Sequence, residues 1–308
     1  MTSPVLIGID GGGTKTRVLA RRIGESHLLL DQTYPETNYQ SIGMKAVADV
    51  FSHILEDLSP ILPAGPQQTA LAMGMAGIDR EGDAELYRSM LRSLGYTGKV
   101  HACNDASTAL IGAHSGAAGA IVICGTGSIA AGQTASGEEI RSGGWGALAG
   151  DEGSGYRLGI EGIAAVFRAY DGSGPQTDLT PALLTLYGKT RVPDLLDVLA
   201  GEQGLPVRTV ASAARPVLEL MERDPVCLEI AQGQVQALAR VVGGLASRMG
   251  RSSFHLALMG GLFDYVPQYT VLFCEALSSD YPDITITPPA GNAAEGALLL
   301  AQQLCAGE

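Results

Sequence analysis

Two glycine-rich segments, each directly after an apolar run, carry the residues best suited to binding an anionic ligand. Residues 8–16 read GIDGGGTKT, and residues 118–128 read AGAIVICGTGS. Glycine tolerates positive φ angles and lets a ligand approach main-chain N–H groups, and successive N–H groups in a turn form a concavity that binds anions. A tight hairpin alone would also need glycine. Two such turns, each followed by Thr or Ser, favour phosphate binding.

The side chains of the first turn suggest how a phosphoryl group would be handled. Asp10 would lie too close to like charge to bind phosphate directly. We therefore predict that Asp10 holds Mg²⁺ through water, because Mg²⁺ gives up its hydration reluctantly. Thr14 and Lys15 could then donate hydrogen bonds to the phosphoryl group being transferred.

Two familiar phosphate-binding motifs do not fit these segments. A P-loop needs the spacing GxxxxGK[ST] at the start of a helix, whereas GGGTKT lacks that spacing and precedes a predicted strand. Residues 125–130 imitate the dinucleotide motif GxGxxA, which requires a following helix. Here the chain continues through a Ser-Gly turn at residues 136–137 into another strand, so a dinucleotide-binding fold is not predicted.

The two turns belong to a repeated structural unit. Residues 5–10 predict a buried strand, and Thr16, Val18 and Ala20 then alternate with charged residues, the period of a second strand. The same order returns later in the chain. Residues 118–128 predict a strand that runs into glycines, and residues 129–144 predict a strand, a Ser-Gly turn and a second strand, whereas about 154–250 is predicted to be mainly helical. Two copies of one unit predict two related lobes with a cleft between them.

Composition limits the class of protein. A chain of 308 residues favours two domains, and 46% hydrophobic with 17% charged residues predicts buried cores. The net charge of −12 disfavours nucleic-acid binding. Five dispersed cysteines fit a reducing compartment better than a disulfide framework. Without a signal-peptide pattern or a membrane-length apolar run, we expect a cytoplasmic protein with no membrane partner.

Several motifs, taken in order, resemble one family. They are DGGGTKT (10–16), GTGS (125–128), GGWGALAGDEGSGY (143–156), MGGL (259–262) and GNAAEGALLLA (291–301). Together they resemble the N-acetylglucosamine kinase and BadF/BadG/BcrA/BcrD ATPase family, within the superfamily of sugar kinases, Hsp70 and actin. The resemblance spans nearly the whole chain. It implies an α/β, actin-like ATPase (ribonuclease H-like) fold, with a mixed five-stranded sheet and helices in each lobe.

The resemblance also implies a domain division and a reaction. The N-terminal lobe would comprise 1–117 and 289–308 and carry the first phosphate loop and the catalytic base. The C-terminal lobe, 118–288, would carry the second phosphate loop, the adenosine turn and a helical insert. The implied activity is ATP-dependent phosphorylation of N-acetylglucosamine at O6, giving the 6-phosphate and ADP. ATP and Mg²⁺ are the implied cofactors, and a homodimer is the implied assembly.

Roles for individual residues follow from the same resemblance. The first phosphate loop would be Gly11, Gly12, Gly13 and Thr14, with Lys15 beside it; the second would be Gly125, Thr126, Gly127 and Ser128. Gly260 and Gly261 resemble the turn against the adenosine. Asp105 resembles the catalytic base, and the sugar contacts would be Asn38, Gly77, Asp105, Thr126, Gly144, Trp145 and Asp151. Ala76 replaces the Ser of many relatives, which leaves the acyl-group preference open.

Each of these residues has a purely structural alternative. Asp105 could accept a proton from a sugar hydroxyl or cap the helix predicted after it. Asp151 and Glu152 could bind sugar hydroxyls, or they could cap a helix or complement its dipole. A lone Trp is usually a core residue, but the glycines on both sides of Trp145 favour a ring exposed to a ligand. Asn38 could serve turn chemistry alone.

Four other functions remain alternatives. The first is a glucosamine kinase with the same chemistry. The second is an ATP-driven activator of a radical enzyme, which would need closely placed Cys ligands for an iron–sulfur cluster, whereas the cysteines here are dispersed. The third is a sugar-sensing repressor, which would need a helix-turn-helix before the first strand. The fourth is a sugar-binding protein without catalysis.

Overall fold

The computed structural model describes residues 3–63, 68–80, 82–134, 136–200 and 206–306. Contacts within the chain divide it into two compact units, Met1–Ala118 with Pro288–Glu308, and Gly119–Thr287. In the described residues, each unit contains one mixed five-stranded sheet with helices packed against it. No helix in these ranges is long and apolar enough to cross a membrane.

In each unit three consecutive strands come first, and helices and further strands follow. The strands are β1 (Val5–Gly11), β2 (Lys15–Arg22), β3 (Leu28–Pro35), β4 (Thr69–Met75), β5 (Lys99–Asn104), β6 (Ala120–Cys124), β7 (Ser128–Gln133), β8 (Glu139–Gly143), β9 (Phe254–Met259) and β10 (Ile284–Thr287). The helices are α1 (Tyr39–Leu58), α2 (Asp83–Ser93), α3 (Asp105–Ala113), α4 (Gly155–Asp171), α5 (Leu179–Leu186), α6 (Leu196–Leu199), α7 (Val207–Ala211), α8 (Ala214–Leu220), α9 (Pro225–Met249), α10 (Gly261–Tyr265), α11 (Pro267–Asp280) and α12 (Ala293–Ala306). Short 3-10 turns cover Ser59–Ile61 and Val192–Leu195.

The first sheet has the strand order β3-β2-β1-β4-β5. Its first three strands pair antiparallel, whereas β1, β4 and β5 pair parallel. The central strands β1 and β4 are buried along nearly their whole length, as expected for apolar strands covered on both faces. The loops that follow β1, β4 and β5 therefore come together at one edge of the sheet.

Each face of this sheet is covered by helices. On one face, α1 contributes Val47, Phe51, Ile54 and Leu58 at helical spacing, and these residues join the core beneath β1 and β4. The helix has one irregular position, Gly43, with a φ of +79°. On the other face, α12 packs its small and apolar residues, Leu298 among them, against Leu6 of β1.

Helices α3 and α12 cross at glycines. A Cβ atom at Gly296 would overlap the carbonyl oxygen of Thr108, and one at Gly112 would overlap that of Asn292. Only glycine leaves room for the two backbones at this separation. Because α3 begins at Asp105, this contact also supports the helix that carries the predicted base.

The second sheet repeats the first, with the order β10-β9-β6-β7-β8. Strands β6, β7 and β8 pair antiparallel in sequence, whereas β6 pairs parallel with β9 and β9 with β10. Helices α4 to α9 lie between β8 and β9 in the chain, which confirms the predicted helical stretch, and they share one large apolar core with the sheet. The predicted repeat and the predicted pair of mixed sheets are confirmed.

Strand β3 was not predicted from the sequence. It lies at the edge of the first sheet and is paired only with β2 among the described strands. Its residues are mostly exposed or half-buried, and polar side chains such as Asp31 and Thr33 interrupt its apolar pattern. An edge strand needs little apolar character, so its sequence carried no clear signal.

Candidate active site

The first glycine turn joins β1 to β2 as the predicted hairpin. The N–H of Gly12 donates to the carbonyl of Lys15 (3.0 Å), which closes the turn. A Cβ on Gly11 would overlap the Met75 side chain and lie 2.7 Å from Oγ1 of Thr37, so a larger residue would displace both neighbours. Gly13 is half-buried, whereas Thr14 and Lys15 are exposed. The turn therefore presents backbone and donor side chains to a ligand.

Asp10 precedes this turn and is partly exposed. Burial, and then the charge of Asp105, raise the pKa of Asp10 to about 6, against the opposing effect of Lys15 and Arg17. Among the described residues, no group of three or more His, Cys, Asp or Glu side chains could enclose a metal ion. Kinase-type Mg²⁺ needs only one or two carboxylates, because phosphate and water supply the remaining ligands. Asp10, with the Asp105 carboxylate close enough to raise its pKa, fits a Mg²⁺ site of this kind.

Asp105 lies at the first position of α3, after β5 has ended at Asn104. Oδ1 of Asn104 accepts the N–H of Ala106 (2.9 Å), so Asn104 is the N-cap and the capping alternative for Asp105 is wrong. The same N–H also lies 3.0 Å from Oδ1 of Asp105. Burial raises the pKa of Asp105, the Ala106 N–H opposes the shift, and the charge of Asp79 adds to it. A carboxylate with a raised pKa is a better proton acceptor.

Two predicted sugar contacts lie together in the same unit. Asn38 caps α1 and accepts the N–H of Gln40 at Oδ1 (3.0 Å). Gly77 has a φ of +95°, and a Cβ there would lie 2.6 Å from Oδ1 of Asn38. Nδ2 of Asn38 is 4.0 Å from the Cβ position of Gly13, so the sugar-contact candidates adjoin the first glycine turn.

The second glycine turn is held by the start of α4. The N–H of Gly125 donates to the carbonyl of Gly127 (2.9 Å), and the N–H groups of Gly155 and Tyr156 donate to the carbonyls of Gly125 (2.8 Å) and Thr126 (3.1 Å). The buried hydroxyl of Ser128 donates to the carbonyl of Glu152 (2.7 Å). Thr126 is exposed at the tip of the turn.

Asp151 lies behind this turn in a left-handed conformation, with a φ of +59°. Its carboxylate is buried and hydrogen-bonds with the main chain of Ser128 and Gly146. Burial raises its pKa, and those hydrogen bonds limit the shift. Ser154 caps α4, accepting the N–H of Arg157 (3.3 Å), so the capping alternative for Asp151 is wrong.

Trp145 is exposed over 65% of its surface, which rules out a core position. The glycines around it take left-handed conformations, with φ of +71° at Gly143, +67° at Gly144 and +83° at Gly146. A Cβ at Gly144 would also lie 2.8 Å from Ile129. These constraints explain why the loop that presents the ring is rich in glycine.

A cavity of about 900 Å³ opens in the second unit, between the second glycine turn and α10. Gly125, Thr126 and Gly261 lie at one side of it, and Tyr265 at its mouth is 83% exposed. Its other lining residues include the apolar Leu186, Leu218, Leu262 and Val266 and the paired Arg215 and Glu219.

Gly260, the first glycine of the predicted adenosine turn, has a φ of +100°, and a Cβ there would lie 2.5 Å from the Cys124 carbonyl. The cavity combines apolar side chains with the backbone of the second glycine turn, and such a lining suits a nucleotide.

Sequence reasoning overlooked some residues of both units. Asn104 and Asp79 adjoin the predicted base, and the amide of Asn104 donates to the carboxylate of Asp79 (3.3 Å). The Asn that precedes Asp105 has the signature of an N-cap, which could have identified it. Tyr265 follows the predicted adenosine turn by four residues, but Arg215 lies far away in the chain and had no local signal.

The chain is similar over nearly its whole length to known proteins. The model of the BadF/BadG/BcrA/BcrD ATPase family matches residues 7–301. An N-acetylmuramic acid/N-acetylglucosamine kinase of Clostridium acetobutylicum is 32% identical, over 97% of this chain and 99% of the relative. An N-acetyl-D-glucosamine kinase of Dictyostelium discoideum is 30% identical, over 98% of both chains. The crystal structure of a putative N-acetylglucosamine kinase from Chromobacterium violaceum has a TM-score of 0.75 and 25% identity, over 97% of this chain and 99% of the other.

Proposed function

Because this chain belongs to the BadF/BadG/BcrA/BcrD ATPase family, we propose that it transfers the γ-phosphoryl group of ATP to O6 of N-acetylglucosamine, giving N-acetylglucosamine 6-phosphate and ADP. The predicted family, the actin-like fold and the enzyme class, an ATP-dependent sugar kinase, are confirmed by similarity over nearly the full chain. The acceptor sugar and its reacting hydroxyl are the proposal.

The position of Asp105 carries this proposal. The residue is at the first turn of α3, with a pKa raised by burial, and its charge acts on Asp10 beside the first glycine turn. A carboxylate there can accept the proton of a sugar hydroxyl as the oxygen attacks the γ-phosphorus. The raised pKa of Asp105 favours proton transfer from the hydroxyl to its carboxylate, so no separate histidine base is needed.

Phosphate binding is assigned to both glycine turns. In the first, the glycines Gly11, Gly12 and Gly13 let a phosphate approach the main chain, and Thr14 and Lys15 offer side-chain donors. The N–H of Gly12 itself is already bonded to the Lys15 carbonyl. In the second, the turn Gly125–Ser128 adjoins the cavity that we assign to the nucleoside, with Gly260 and Gly261 at its edge. Asp10 would hold Mg²⁺, which supplies charge neutralisation at the phosphates.

We assign sugar recognition to polar groups and to one aromatic ring. Asn38 and Gly77 adjoin each other in the first unit. In the second unit, Asp151 provides a carboxylate acceptor for hydroxyl groups, and Gly144 and Trp145 provide backbone and an exposed ring. Exposed aromatic rings commonly pack against the apolar face of a ligand, which fits a pyranose with an acetyl group.

Release of ADP by the purified protein tests the proposal, with N-acetylglucosamine, N-acetylmuramic acid and glucosamine as separate acceptors. We expect the highest kcat/KM with N-acetylglucosamine and a product that carries phosphate at O6. Asp105→Asn should lower kcat by about 10²- to 10⁴-fold while sugar binding persists. Asp49→Asn, an exposed change in the same unit, is the matched control.

Two outcomes would contradict the proposal. Much faster turnover of glucosamine would favour the alternative substrate, and full activity of Asp105→Asn would remove the assigned base. An activator of a radical enzyme remains a lesser alternative, because the cysteines are dispersed along the chain. The homodimer and the cytoplasmic location remain predictions.

A further inference from the structure

Asp83 is a buried carboxylate that the proposed reaction does not use. It is the first residue of α2 and is only 6% exposed. Oδ1 accepts the hydroxyl of Tyr39 (2.7 Å), and Oδ2 accepts the N–H groups of Asp79 (3.0 Å) and Arg80 (2.8 Å). Both oxygens are therefore occupied by donors from two different segments of the chain.

Those two segments carry the sugar-contact candidates of the first unit. Tyr39 directly follows Asn38, and Asp79 lies two residues after Gly77. The Tyr39 ring also packs edge-on against Tyr87 of α2, with 6.0 Å between ring centroids. The hydroxyl of Tyr87 donates to the carbonyl of Thr37 (2.8 Å), so the segment before α1 is held on both sides of Asn38.

The segment bonded to Asp83 also contacts Asn104, the residue before the predicted base Asp105. Nδ2 of Asn104 donates to the carbonyl of Ile78 (3.0 Å) and to Oδ1 of Asp79 (3.3 Å). Oδ1 of Asn104 accepts the N–H of Ala106. The loop fixed by Asp83 is therefore tied to the residues on either side of Asp105.

The charge on Asp83 strengthens these contacts. The hydrogen bond from Tyr39 lowers the pKa of Asp83, although burial opposes the shift, and the Arg80 and Asp79 N–H groups lower it further. Hydrogen bonds to an ionised acceptor are roughly twice as strong as neutral ones. Removal of one donor would leave a buried charge partly unpaired.

We propose that Asp83, through Tyr39 and the 79–80 main chain, is a positioning residue that holds Asn38 and Gly77 in the arrangement that binds the sugar. In this role it acts through those neighbours, without a contact of its own to the sugar or the nucleotide. The inference rests on the proposed function, because it concerns the sugar side of that site. Loss of the Tyr39–Asp83 hydrogen bond should weaken sugar binding and leave ATP binding unchanged.

The chain offers a matched pair of variants for the kinetic test. The Tyr34 hydroxyl donates to Oδ2 of Asp57 (2.8 Å) in the same unit, and neither residue belongs to the network around Asp83. Tyr39→Phe should raise the KM for N-acetylglucosamine about tenfold, with kcat changed less than twofold and the KM for ATP unchanged. Tyr34→Phe should leave all three values unchanged. An equal rise in KM in both variants would indicate a merely structural role and overturn the inference.

Hydrogen exchange of the ligand-free protein provides a measurement that does not depend on turnover. In Tyr39→Phe, the Asp79 and Arg80 amides should exchange at least tenfold faster than in the wild type, and in Tyr34→Phe they should not. Unchanged exchange in Tyr39→Phe would overturn the inference. If the wild type phosphorylates no amino sugar, the proposed function fails, and the exchange rates still decide whether Asp83 holds this loop.

Discussion

The guanidinium carbon of Arg141 lies 4.9 Å from the centroid of the Trp145 ring. Arg141 is on β8, and its carbonyl accepts a hydrogen bond from Arg248 of α9, which anchors the backbone of this strand. A guanidinium over an indole face makes a cation–π interaction. The ring that we assign to sugar recognition is therefore exposed, and one of its faces is in contact with a guanidinium group.

Trp145 is the only tryptophan, so its fluorescence reports on this ring alone. We expect N-acetylglucosamine to shift the emission of the wild type. Arg141→Leu should alter the emission of the free protein and raise the KM for the sugar about two- to fivefold, because exposed cation–π pairs contribute about 0.5–1 kcal/mol. Arg240→Leu, on an exposed face of α9, is the control. An emission spectrum insensitive to sugar would contradict the role of Trp145.

Tyr265 should contribute to nucleotide binding and not to sugar binding. Its exposed ring lies at the mouth of the nucleoside cavity. Stacking of a base on an aromatic ring is worth about 1–3 kcal/mol, so Tyr265→Ala should raise the KM for ATP about tenfold. Tyr170→Ala removes a ring that is 62% exposed elsewhere in this unit, and its kinetics should match the wild type. A change in the sugar KM alone would refute the assignment of the cavity.

The glycine contact between α3 and α12 should be sensitive to a single methyl group. Gly296→Ala would place a Cβ against the Thr108 carbonyl, and overpacking of this kind costs about 1–3 kcal/mol. Thermal unfolding should show a lower Tm, and kcat should fall because α3 carries Asp105. Gly233→Ala, in α9 with open space around the Cβ position, should raise Tm instead, since Ala is the better helix former. Equal stability of both variants would contradict the close crossing.

Asp224 should make stability depend on pH. Burial would raise its pKa, but hydrogen bonds from Thr177 and from the N–H groups of Asp178, Val226 and Cys227 outweigh that effect and lower it. A lowered pKa in the folded state means that the carboxylate stabilises the protein above the unfolded pKa, and that this contribution disappears as pH falls through the folded pKa. Asp224→Ala should therefore cost about 1–3 kcal/mol near pH 7.

The difference in unfolding free energy between Asp224→Ala and the wild type should shrink below about pH 4. Denaturant titrations at pH 7, 5 and 3.5 would measure it. The exposed Asp283→Ala in the same unit should show little difference at any of these values. A difference that grows as the solution is acidified would contradict the assigned direction of the pKa shift.

The spacing of apolar residues along the chain was sufficient to predict the strands and helices whose apolar residues recur at a regular period. The strands on both sides of each glycine turn, the helices between β8 and β9 and the repeat of one unit all follow from spacing within short windows. The edge strand β3 was missed, because an exposed edge needs no apolar alternation. The choice of Asn104 over Asp105 as the N-cap was also not predicted, since either side chain can fill that position.

By itself, the sequence determined where backbone flexibility and chemical groups occur along the chain: glycine after a buried strand, Asp before a helix, Trp among glycines. These features are local, because they depend on the backbone conformations and the hydrogen-bonding groups of neighbouring residues. Only the tertiary structure decided which distant groups meet. Tyr39 reaches Asp83 across 44 positions, and Thr16 meets Thr37 in a buried hydrogen bond of 2.8 Å. Such pairs depend on sheet register and helix packing. A buried polar group needs a hydrogen-bond partner, and packing decides which distant residue lies close enough to provide it.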